Sequence, residues 1–73
     1  MVWLVIDGEG SLYGSEKEGL TALGQVLEYR RKRGYKITPN EAPVLDKKFY
    51  VANPARDGLE IIYLTHEEPS QSN

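Results

Sequence analysis

Five apolar residues in succession, Val2-Trp3-Leu4-Val5-Ile6, follow Met1. They predict a β-strand buried on both faces, because a half-buried strand would alternate. Asp7-Gly8-Glu9-Gly10-Ser11 breaks the run with two glycines, and a loop to about Gly14 is expected. Ser15-x-x-Glu18 then reads as a capping box, in which each side chain satisfies a free backbone N–H at a helix start. Glu16 and Glu18 suit the positive end of that helix, Arg30 to Arg33 suit its negative end, and Gly34 fits the position after the C-cap. The helix is expected over residues 16–33, with Leu20, Leu23 and Leu27 as its core stripe. Gly24 falls in that stripe, where a missing side chain would let the helix approach a sheet. Internal glycines at 19 and 24 each cost the helix ~1 kcal/mol relative to alanine, so packing must hold it.

Residues 35–46 carry Pro39 and Pro43 and read as irregular, with Tyr35 to Thr38 available as a short edge strand. Lys48 to Ala52 and Leu59 to Leu64 are strand-like. Between them Asn53-Pro54-Ala55-Arg56-Asp57-Gly58 is rich in turn formers, so the pair predicts a β-hairpin. His66 to Asn73 is polar and is expected to be a flexible, disordered tail. The predicted fold is α+β, a single small domain over 1–65: strand, helix, hairpin, with one helix packed on a three-stranded sheet. One helix covers one sheet face only. We expect the 35–46 loop to close the other, with a partner protein as the alternative occupant.

Length and composition narrow the function. Seventy-three residues allow one domain near the lower size limit for independent folding. With no cysteine, neither disulfides nor thiolate metal sites are available, and the reading is of a soluble, cytoplasmic protein. The longest apolar run is far shorter than the ~20 residues of a membrane span. No cofactor or metal is expected. His66-Glu67-Glu68, three ligand types in a row on a tail, would make a poor cage. Asp7-x-Glu9-Gly10-Ser11 after a strand resembles the first motif of the haloacid-dehalogenase phosphatases. That resemblance implies Asp7 as nucleophile and Glu9 as general acid, but so short a chain cannot supply their doubly wound scaffold. The segment reads as an acidic turn, and the protein as a non-enzyme.

Charge is segregated. Residues 1–28 carry five acids and one lysine, 29–48 seven bases and two acids, and 49–73 one arginine and four acids. A basic middle lies between acidic ends. Arg30-Arg31-Lys32-Arg33 exceeds what helix capping requires. Tyr29 and Arg33 share a second helix face with Ala22 and Val26, and Tyr and Arg often anchor interfaces. The candidate partner-binding residues are therefore Tyr29, Arg30, Arg31, Lys32 and Arg33, with Trp3 as an apolar anchor. Two alternatives remain open: a nucleic-acid-binding module using the same basic stretch, and an inhibitor of some other enzyme.

The chain length, the Met-Val-Trp-Leu-Val-Ile-Asp-Gly opening and the basic helix end resemble a small transcription regulator of lytic phages. Such a resemblance implies a partner, bacterial RNA polymerase, bound through its β′ subunit near the N-terminus. It further implies inhibition of transcription initiation by interference with the σ factor, and antitermination.

Overall fold

The computed structural model describes residues 1–69. Five strands and one helix follow in the order β1 (Val2–Ile6), β2 (Glu9–Tyr13), α1 (Glu16–Lys32), β3 (Lys36–Thr38), β4 (Phe49–Ala52) and β5 (Leu59–Thr65). The architecture is α+β, with a five-stranded antiparallel sheet in the order β2-β1-β5-β4-β3 in place of the three strands expected. One added strand is the edge strand foreseen after Tyr35. The other, β2, corrects the loop expected over residues 7–14. Asp7 (φ 50°) and Gly8 (φ 91°) both adopt left-handed backbone and form the two-residue turn that joins β1 to β2. Two positive φ values in succession match the twist of a hairpin, and Gly8 takes its value without a steric cost.

Register divides the side chains between two faces. Val2, Leu4 and Ile6 point to the same side as Ile62 and Leu64 of β5, Phe49 and Val51 of β4, and Ile37 of β3. On this inner face α1 lies, contributing Leu23 and Leu27 to a core in which Phe49, Leu23, Ile62, Leu64 and Val2 are fully buried. Leu20, Ala22 and Val26 pack at the margin of that core. Ala22 and Val26 are thus not part of an open second face, as their spacing from Tyr29 and Arg33 had suggested.

Where the helix comes closest to the sheet also differs from expectation. At Gly24 an added β-carbon would meet only Pro43 Cγ, at 3.7 Å, so that position does not need to be glycine. The tight approach is one turn earlier. A β-carbon at Gly19 would fall 2.5 Å from Val2 Cγ2 and 2.8 Å from Leu64 Cδ1. Only a residue without a side chain lets α1 rest on β1 and β5 there.

The caps follow the sequence, with one change. Glu18 N–H donates to Ser15 Oγ at 3.1 Å, but the Glu18 carboxylate accepts the Ser15 hydroxyl rather than the Ser15 amide. At the other end Tyr35 N–H donates to the Arg30 carbonyl and Gly34 N–H to the Arg31 carbonyl, with Gly34 at φ 86°. This is the paired C-terminal motif that glycine makes possible.

The segment between β3 and β4 does not cross the outer sheet face, as had been expected of the 35–46 loop. It folds along the helix side: Pro43 faces Gly24, Leu45 packs on the helix-side core, and Asp46 N–H donates to the Leu64 carbonyl. The outer face is met instead by the segment after β5. There Pro69 lies over Gly10, where a β-carbon would fall 2.6 Å from Pro69 Cγ and 3.0 Å from Trp3 Cε3. His66 turns the other way, its Nδ1 3.0 Å from the Met1 carbonyl and its Nε2 3.5 Å from a Glu16 carboxylate oxygen. Residues 70–73 of the expected tail lie outside the described residues. Among those described, no helix is long and apolar enough to cross a membrane.

Candidate protein-docking surface at the helix C-terminus

The four consecutive bases at the end of α1 fan around the helix, and each meets a different fate. Arg30 points inward to β5. Its Nε and Nη2 donate to the two carboxylate oxygens of Glu60 at 2.9 and 3.1 Å, a two-pronged pair with about a quarter of each side chain exposed. The hydrogen bonds that Arg30 donates to Glu60 raise its pKa, burial opposes them, and the Glu60 charge adds a further rise. Arg30 therefore fastens the helix end to the sheet. Arg31 reaches back to Glu28 at 3.2 Å and across to Asn40 Oδ1 at 3.4 Å.

Lys32 and Arg33 make no ion pair among the described residues. Arg33 lies over the Tyr29 ring, its guanidinium carbon 5.5 Å from the ring centroid, and donates to the Tyr29 hydroxyl at 3.1 Å. Tyr29 is 55% exposed. The stacked pair biases both side chains toward one conformation in water, where such a contact contributes ~0.5–1 kcal/mol. Pre-ordering lowers the entropy lost on docking. Beside it, Thr21, Gly24, Gln25, Glu28, Tyr29 and Lys32 line a shallow groove along the exposed side of α1.

Of the six residues expected to bind a partner, the structure thus gathers Tyr29, Lys32 and Arg33 into one exposed cluster. Arg31 is beside it, engaged with Glu28 and Asn40, and Arg30 turns to the opposite side. Trp3 is in the other layer, half-buried on the outer sheet face against Pro69 and Gly10. A flat partner surface that meets Tyr29 and Arg33 cannot also meet Trp3.

A polar cleft of about 340 Å³ lies where α1 ends above the β4–β5 turn, with Asp7, Arg30, Tyr35, Asn53, Arg56 and Glu60 in its walls. Asn53 Nδ2 donates to the Tyr35 hydroxyl at 3.2 Å. These residues come from three separate stretches of chain, so no local pattern could have announced the cleft. Comparison of the chain with models of protein families, with curated proteins and with solved structures gives no match.

Proposed function

We propose that this protein is a non-enzymatic regulator that works by docking on a protein machine. The partner that the sequence resemblance implies is bacterial RNA polymerase, where occupation of an acidic surface would exclude the σ factor and inhibit initiation. The observation that carries the docking reading is the Tyr29–Arg33 stack with Lys32 beside it: two cations without carboxylate partners among the described residues, held next to an exposed aromatic ring. A cation–aromatic cluster of this kind suits an interface anchor, since Tyr and Arg combine contact area with directional hydrogen bonds.

The test uses purified core polymerase and holoenzyme. The chain should bind the core, compete with σ for it, and inhibit promoter-dependent initiation. Replacing Tyr29, Lys32 and Arg33 together by alanine should lower the affinity about tenfold or more, with the thermal unfolding midpoint nearly unchanged. Arg30 is kept out of this variant because it holds the helix to Glu60. Absence of polymerase binding would refute the partner, and unchanged affinity in the triple variant would refute the surface. Salt dependence separates the nucleic-acid alternative. A phosphate-binding surface loses affinity steeply and linearly on a log–log scale, whereas an interface with an apolar centre loses less.

A further inference from the structure

The outer face of the sheet is a second surface, independent of the helix end. Leu59, Ile61 and Tyr63 of β5 share it with Tyr50 of β4 and with Trp3 and Leu12 on the β1–β2 side. Leu59 is 60% exposed, Leu12 47% and Tyr50 38%. α1 packs on the opposite face; on this one Pro69 lies over Gly10 beside Trp3, and Val5, paired to Gly10, is fully buried. The charged side chains that the β3–β4 half adds are both basic. Lys36 stands opposite Ala52 in the register, on the same side as Tyr50. Lys48 holds its ammonium 5.6 Å from the centroid of the Tyr63 ring. The strand carboxylates Glu9 and Glu60 fall on the inner side of the register, opposite Ile6 and Val51, and Asp7 stands at the far edge from the two lysines, its N–H on the Ile61 carbonyl at 2.8 Å.

We infer that this face docks a protein segment of defined chemistry: apolar side chains that cover Leu59, Ile61 and Tyr63, bordered by carboxylates that meet Lys36 and Lys48. An acidic border complements the two ammonium groups at the edge of the apolar area, which would otherwise face the partner without counter-charges. Lys48 is already placed over Tyr63, so its charge sits at the margin of the apolar area, where an interface has its polar rim. The inference rests on the reading of the chain as a docking protein, not on the identity of the partner. It makes the molecule two-sided, with the helix end and the outer sheet face able to engage different elements at once.

The test needs no polymerase. Two short peptides share a Phe- and Leu-containing centre and differ in flanking residues, Glu in one and Lys in the other. Each is titrated into the isotope-labelled full chain and followed by amide chemical shifts, with Trp3 fluorescence in parallel. The Glu peptide should bind about tenfold more tightly than the Lys peptide, with shifts at Leu59, Ile61 and Tyr63. Lys36→Glu with Lys48→Glu should reverse the preference while leaving the unfolding midpoint nearly unchanged. Leu59→Ser should weaken both peptides. Equal affinity for the two peptides, no binding of either, or shifts confined to the helix end would overturn the proposal. So would sedimentation equilibrium showing that this face pairs two copies of the chain, an association lost in Leu59→Ser. A chain that discriminates the peptides but fails to bind polymerase would refute the polymerase reading and leave this surface standing.

Discussion

Alanine at the two glycines inside α1 should shift the stability of the domain in opposite directions relative to each other. The intrinsic term is the same at both positions: replacing a helical glycine by alanine gains ~1 kcal/mol. At Gly24 the new methyl meets Pro43 Cγ at 3.7 Å, an ordinary contact, so the gain is kept. For a domain of 73 residues the unfolding entropy at the midpoint is roughly 150 cal/mol/K, and ~1 kcal/mol raises the midpoint by about 6 °C. At Gly19 the methyl would fall 2.5 Å from Val2 Cγ2 and 2.8 and 3.2 Å from the two Leu64 methyls. Val2 and Leu64 are themselves fully buried and have no free space to retreat into. Overpacking of this kind costs ~1–3 kcal/mol, which offsets or exceeds the helical gain. Gly24→Ala should therefore melt about 6–18 °C above Gly19→Ala, with the wild type at or between them. Thermal and urea unfolding followed by far-ultraviolet circular dichroism read the order directly. A Gly19→Ala variant that melts at or above Gly24→Ala would refute the close approach of α1 to β1 and β5.

Other perturbations probe the joints around this core. Glu60→Gln removes the charge that Arg30 grips and should cost about 1–2 kcal/mol in urea unfolding, less at high salt. Because Arg30 has its pKa raised, its contribution is complete below the unfolded value and is lost only as pH rises through the still higher folded one. Arg30 itself should therefore add no slope to stability across the neutral range, which a titration of unfolding midpoints checks. Ser15→Ala removes the acceptor for Glu18 N–H and should cost ~1 kcal/mol, measurable as a lower urea midpoint at constant slope. Gly10→Ala would force Pro69 away from β2. Stability should change by less than ~0.5 kcal/mol, while Trp3 emission moves to the red; an unmoved spectrum would contradict the placement of Pro69.

Much of the architecture is readable along the chain because each element carries its own local signal. The unbroken run Val2–Ile6, the Ser15 cap with its Arg-Gly exit, and the turn-rich separator between β4 and β5 are of this kind. β2 escaped because Glu9-Gly10-Ser11-Leu12-Tyr13 is an edge strand with little apolar content, paired on one side only. The signal that could have found it is Asp7-Gly8, the dipeptide most suited to a two-residue hairpin turn. The choice between Gly19 and Gly24 was not readable, since both fit a helix spacing and only the crossing of α1 over Val2 and Leu64 selects one. The same holds for the basic cluster. Charge density marked Arg30 to Arg33 as a unit, but that Arg30 alone turns inward depends on Glu60, which lies 30 residues away in sequence.

The sheet order has a consequence for biosynthesis. β1 is held between β2 and β5, with Trp3 paired to Thr65 and Ile6 to Ile62, so the sheet joins the two described strands that lie farthest apart along the chain. A nascent chain still lacking β5 can form the β1–β2 hairpin and turns of α1, but it has no central strand on which to lay them. β1 would meanwhile expose Val2, Leu4 and Val5. Folding must therefore wait until residue 65 has cleared the ribosome exit tunnel, and closing so long a loop makes the step slower than local pairing. Until then the chain is a client for whatever binds apolar nascent segments, and a ribosome stalled before β5 would release a fragment with no core to close.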